Sequence, residues 1–96
     1  MDDHTVTGRI LAVLDAVADH DGPISLAELT RAVAVPKPTV RRIAADLCAR
    51  RMLRRCADDG GYLLGPRVLE LGMRAAAQLD LRQAATPYLQ DLFAHR

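Results

Sequence analysis

Residues 35–52 read VPKPTVRRIAADLCARRM. Two prolines bracket Lys37, a helical pattern follows, and four arginines lie along it. Proline has no amide hydrogen, so Pro38 suits a first helical position, and the residue before a proline is steered away from helical backbone angles. The stretch therefore predicts a helix from about Pro38 to Arg51. At about 100° per residue, Val40, Ile43, Ala44 and Leu47 fall on one side. Pro38, Arg41, Arg42, Ala45 and Ala49 fall on the other. That outer side is basic near its N-terminal end and small in the middle, a shape that can lie close against something negative.

The flanking segments supply the partners of this helix. Upstream, Ile10, Val13, Leu14 and Val17 recur at helical spacing over 7–18, and Gly22 and Pro23 end that run. Ser25 and Glu28 have the spacing of a capping box, in which each side chain satisfies an amide of the other residue. They open a short helix whose Leu26, Leu29 and Val33 face inward. Downstream, two short apolar runs flank Asp58–Gly61, and Asp-Gly-Gly supplies the positive φ angles of a tight hairpin. Strands are expected at 53–57 and 61–64, with Arg54 and Arg55 on the first. Pro66 then opens a helix carrying Val68, Leu69, Gly72, Ala76 and Leu79, and Asp80 can cap a last helix that Pro87 kinks or delays.

Ninety-six residues suit one domain with a modest core. Only three residues are aromatic, so alanine, leucine and valine must fill that core, which favours closely packed helices. The net charge of +1 conceals a segregation. From Arg31 to Arg67 nine Lys or Arg face three Asp, while the rest of the chain has four Arg against nine acids. A basic block of this kind is the electrostatic footprint of a polyanion.

Helix, helix, basic helix, hairpin is the order of a winged helix-turn-helix, in which the second helix of the pair enters the DNA major groove. The groove admits one helix, and Ala45 and Ala49 keep the outer face narrow where it goes deepest. The fold class expected is mainly α with a small β-hairpin: a winged helix-turn-helix over 1–65, then linker and dimerisation helices over 66–96. The predicted function is sequence-specific binding of double-stranded DNA, with the helix of about 38–51 in the major groove and the wing of 53–64 on the backbone. The DNA-binding surface is assigned to Lys37, Pro38, Thr39, Arg41, Arg42, Ala45, Arg54 and Arg55. Arg51 falls near the apolar side, where it can snorkel or pair with an acid, and Arg50 is off the groove face, so neither is counted.

The chain also resembles the N-terminal DNA-binding region of the IclR family of bacterial transcriptional regulators. The resemblance rests on ILAVLDAVAD, ISLAELTRAVAVPKPTVRRIAADLCARRMLRR, GYLLGPRVLELG and DLRQAATPYLQDL, spanning about Arg9 to Leu92. Pro36-Lys37-x-Thr39-Val40-x-Arg42 followed by Tyr62-x-Leu64-Gly65 is its most specific part. By that resemblance Lys37, Thr39 and Arg42 match the start of the recognition helix. Two positions depart from the family pattern: Ala34 stands where glycine is usual in the turn between helices, and Pro38 where serine is usual. The resemblance also implies a homodimer, and a small-molecule effector that acts only through a C-terminal domain absent from this chain.

Other chemistries have little to stand on in this sequence. Cys48 and Cys56 lack companions at zinc spacing, so no metal or other cofactor is expected, and both thiols read as packing or idle. Residues 17–28 imitate a calcium loop at Asp19, Asp21, Gly22 and Glu28, but Val17 stands where the leading carboxylate belongs. His4, His20 and His95 are scattered, and no nucleophile elbow or phosphate-cradling glycine loop is present, so no catalytic residue and no enzyme are expected. No apolar run is long enough for a membrane span and MDDHTVTGR is not a signal peptide, which points to a cytoplasmic protein. The alternative is a winged helix that docks on protein without binding DNA.

Overall fold

The computed structural model describes residues 5–57 and 60–79. Its elements are α1 (Val6–Asp19), α2 (Leu26–Val33), α3 (Lys37–Ala49), β1 (Leu53–Arg55), β2 (Tyr62–Leu64) and α4 (Pro66–Gln78). The fold is mainly helical with one two-stranded antiparallel hairpin, as the sequence predicts. The last helix expected after Asp80 lies outside the described residues, as do Asp58 and Asp59.

Each helix begins where local chemistry allows it. Thr5 caps α1 by accepting a hydrogen bond from the Gly8 amide at 2.9 Å. The capping box of α2 forms in full: the Glu28 amide donates to Ser25 Oγ and the Ser25 amide donates to Glu28 Oε1, both at 3.1 Å. Glu28 Oε2 lies 3.1 Å from His20 Nε2, so both oxygens of this carboxylate have partners around the cap. The Ser25 bonds and His20 together hold the Glu28 carboxyl below its ordinary range.

The start of α3 differs from the expected one. Lys37 is already helical, because the Thr39 and Val40 amides both donate to the Pro36 carbonyl, at 3.0 and 3.1 Å. These bonds outweigh the steric bias against helical angles before Pro38, which is a preference only. The other end also moves, with α3 stopping at Ala49 instead of Arg51. Arg51 takes a left-handed φ of 65°, its amide donates to Cys48 O and the Met52 amide to Leu47 O. That pair of bonds is a Schellman closure, which satisfies the last carbonyls of the helix.

One core joins these elements. Val13 and Val17 of α1, Leu29 of α2, Val40, Ala44 and Leu47 of α3, and Leu53 and Tyr62 of the hairpin are buried together with Ile24 and Val35. Burying an aliphatic side chain of this size contributes about 1.5–3 kcal/mol, so α3 is seated chiefly by three of its residues. The strands are shorter than expected and pair Leu53 with Leu64, Arg54 with Leu63 and Arg55 with Tyr62. Tyr62 also exchanges two backbone bonds with Ile24, tying the hairpin to the segment before α2.

Two tight backbone positions shape the connections. Ala34 ends α2 at φ 54° and ψ 43°, with its amide donating to Thr30 O. The Cβ of an L-residue is crowded in this left-handed region, which glycine occupies freely. At Gly65 the constraint is space. A Cβ there would overlap the Arg51 carbonyl oxygen and come within 2.9 Å of the Leu53 oxygen. This close approach lets the Gly65 amide reach Met52 O and the Arg67 amide reach Arg51 O, which anchors the start of α4.

Ala34→Gly is therefore expected to stabilise the domain by about 0.5–1 kcal/mol, relief of the left-handed strain exceeding the entropy gained by the unfolded chain. Gly65→Ala should destabilise it by about 1–3 kcal/mol, because backbone must move to admit the methyl. Urea unfolding monitored by circular dichroism checks both signs.

Candidate nucleic-acid interface

The burial of Val40, Ala44 and Leu47 leaves the opposite side of α3 in solvent. Lys37, Pro38, Arg41, Arg42 and Ala45 are exposed and Thr39 is half-buried. The first turn of α3 has no side-chain cap, and Pro38 carries no amide. Attraction for an anion at this helix end therefore falls mainly to the side chains.

The basic residues divide into two groups. Arg50 is tied to Asp46 one turn back, Nε to Oδ1 at 3.3 Å. Arg51 meets Glu70 at 2.8 Å and Arg67 meets the other oxygen of the same carboxylate at 3.0 Å. Arg67 and Arg51 together hold the Glu70 carboxyl below its ordinary range. By contrast, no described acid forms an ion pair with Lys37, Arg41, Arg42, Arg54 or Arg55. All five cations that the sequence assigns to the surface are in this second group, as are Arg9, Arg31 and Arg74, and the two it sets aside are paired.

The structure also separates residues that are neighbours in sequence. Arg41 lines a cleft of about 300 Å³ together with Leu26, Ala45, Cys48, Arg55 and Tyr62. Arg42 lies on the other flank of α3, beside a smaller hollow it shares with Val6, Ile10, Thr39, Ile43 and Asp46. Successive strand residues face opposite ways. Arg55 accordingly joins the cleft with Arg41, while Arg54 borders a separate apolar hollow with Leu64, Pro66, Val68 and Leu69. The eight sequence-assigned residues thus form a central strip on α3 with two flanks, and Arg54 stands apart from the strip.

Two residues of this surface were not assigned from the sequence. Tyr62 presents its ring to Arg55, whose guanidinium carbon lies 5.6 Å from the ring centroid, within range of a cation–π contact. Both residues are equidistant from the turn, so the hairpin symmetry alone could have indicated the pair. Cys48, read as a packing or idle thiol, lines the cleft between α3 and the hairpin. Burial pushes its thiol up, against a smaller pull in the other direction from the Arg55 charge.

Comparison with known proteins places this arrangement. The family model of the IclR helix-turn-helix domain matches residues 6–56, which covers α1, α2, α3 and β1. The probable transcriptional regulator SauR of Cupriavidus necator is 36% identical over 84 residues, 88% of this chain and 32% of that protein. An IclR-family transcriptional regulator from Brucella abortus superposes with a TM-score of 0.72 at 32% identity, covering 96% of this chain and 36% of the other. HmgR of Pseudomonas aeruginosa gives 0.71 at 29% identity over 90% of this chain and 38% of its own. The chain spans about a third of the length of the curated relatives it matches. With the helix order, the hairpin and the matched segment in agreement, this chain belongs to the IclR helix-turn-helix family.

Proposed function

We propose that this chain is the DNA-binding part of a cytoplasmic transcriptional regulator and recognises specific sequences in double-stranded DNA. The carrying observation is the row of exposed cations on α3 and β1 that form no ion pair with a described acid, beside neighbours that do. A row of like charges left uncompensated costs self-repulsion, and a polyanion removes that cost while releasing its own counterions. A winged helix that docks on protein has no need of such a surface. In this reading α3 enters the major groove, with Lys37, Pro38, Thr39, Arg41, Arg42 and Ala45 toward the DNA. The wing lies on the backbone through Arg54 and Arg55. Arginine suits both duties, since its planar fork matches guanine O6 and N7 as well as phosphate.

The same reading makes the active species a homodimer formed through α4. That helix has no buried residue, and Leu69, Met73 and Leu79 are 68%, 64% and 56% exposed. Gly72 and Ala75 are exposed between them, small enough to let a second helix approach closely. Two copies would present two recognition helices to half-sites of a roughly palindromic operator. An effector would act through a further C-terminal domain outside this chain.

Selection of bound duplexes from a random pool tests the proposal. It should return paired half-sites separated by about 10 base pairs or a multiple of that, and failure to enrich any sequence would sink the reading. Within the selected site, Arg42→Ala should relax preference at one base position by about 1–3 kcal/mol. Arg50→Ala should leave both affinity and preference nearly unchanged, because its charge is already matched by Asp46. Analytical ultracentrifugation with and without the selected duplex should show two chains per duplex.

A further inference from the structure

Arg41 and Arg55 come from different elements yet line one cleft. α3 contributes Arg41 and Ala45, and the hairpin contributes Arg55 and Tyr62. Leu26, at the start of α2, and Cys48 complete the lining. Ala45 contributes only a methyl group to that lining. The Tyr62 ring is buried and steadies Arg55 from one side. No described acid neutralises either arginine. Two like charges on exposed side chains thus border one gap whose wall is partly apolar, and like charges there repel. A single anion held between them would reverse the sign of that interaction.

The position of the cleft says which anion. A helix lying in the major groove and a hairpin lying beside it have the sugar–phosphate strand that borders the groove between them. The gap between α3 and the wing is where that strand must pass. We propose that Arg41 and Arg55 clamp one and the same backbone phosphate of each half-site, joining the recognition helix and the wing through a shared contact. This inference rests on the DNA-binding reading above and narrows it. Arg41 becomes a residue that sets register and not a reader of bases, and Arg55 becomes the wing's anchor. Arg54, on the other face of β1, has no part in the clamp.

Selected duplexes carrying one uncharged methylphosphonate linkage at a time provide the test. Against the wild-type chain, one linkage per half-site should weaken binding by about tenfold on neutralisation, the loss of a charge-assisted contact. Arg41→Ala and Arg55→Ala should each lose most of their sensitivity at that same linkage and keep it elsewhere, whereas Arg54→Ala should keep it there too. The double variant Arg41→Ala/Arg55→Ala should lose about 0.9 units per half-site, or about 1.8 for a duplex with two, from the slope of log affinity against log salt, the value for one phosphate in each. Sensitivity lost at two different linkages within one half-site, or a slope reduced by about 1.8 units per half-site, would overturn the clamp and leave DNA binding standing. Failure of the wild-type chain to bind any duplex would overturn the DNA reading itself and the clamp with it. Inorganic phosphate, titrated at constant ionic strength while the Arg41 and Arg55 side-chain NMR signals are followed, should not saturate the free protein. Saturation would assign the cleft to a free anion and overturn the clamp. All these variants alter exposed side chains, and unchanged circular dichroism confirms that they fold.

Discussion

The rotation of α3 about its own axis is the constraint on which the surface depends. Val40, Ala44 and Leu47 are locked into the core, and a helix is rigid enough that fixing one side fixes the other. Turning α3 by one residue would bring an arginine toward the core and expose Val40 or Leu47, at a cost of several kcal/mol. Lys37, Arg41, Arg42 and Ala45 therefore point outward because other residues point inward. No interaction at the outer face is needed to hold them there.

A second constraint acts at the end of α3. The left-handed turn at Arg51 closes the helix just before β1 begins. Gly65 then comes so near the Arg51 and Leu53 carbonyls that only a hydrogen fits on its α-carbon. Around this point the Arg67 amide bonds Arg51 O, and Glu70 gathers the Arg51 and Arg67 side chains. The exposed ion pairs contribute little stability individually. Their consequence is directional, since they tie the first turn of α4 to the end of α3 when α4 has no fully buried residue of its own. The same contacts pair two arginines with an acid and so withdraw them from the cationic surface.

Much of this was legible in the sequence because it depends on local rules. The capping box at Ser25, the hairpin around Gly60 and the apolar stripe of α3 each follow from residues within a few positions of one another. Helix boundaries were less legible. The start of α3 was set by bonds to Pro36 O and its end by a left-handed arginine, and neither position belongs to a residue type that announces such a role. The Ala34 turn lies between these cases: its place was readable, and its φ of 54° shows that the chain accepts the strain where glycine would avoid it.

The sequence by itself determined the order of elements, the inward and outward sides of α3 and the concentration of positive charge between Arg31 and Arg67. These are properties of short segments, governed by periodicity and composition. Only the tertiary structure decided which of those charges form no ion pair with a described acid, because Glu70 lies 19 residues from Arg51 and reaches it only once α4 has docked. It also decided that Arg41 and Arg42 serve opposite flanks and that Arg55, not Arg54, shares a cleft with Arg41. Such pairings depend on the rotation of one element against another, which core packing sets across long separations in sequence.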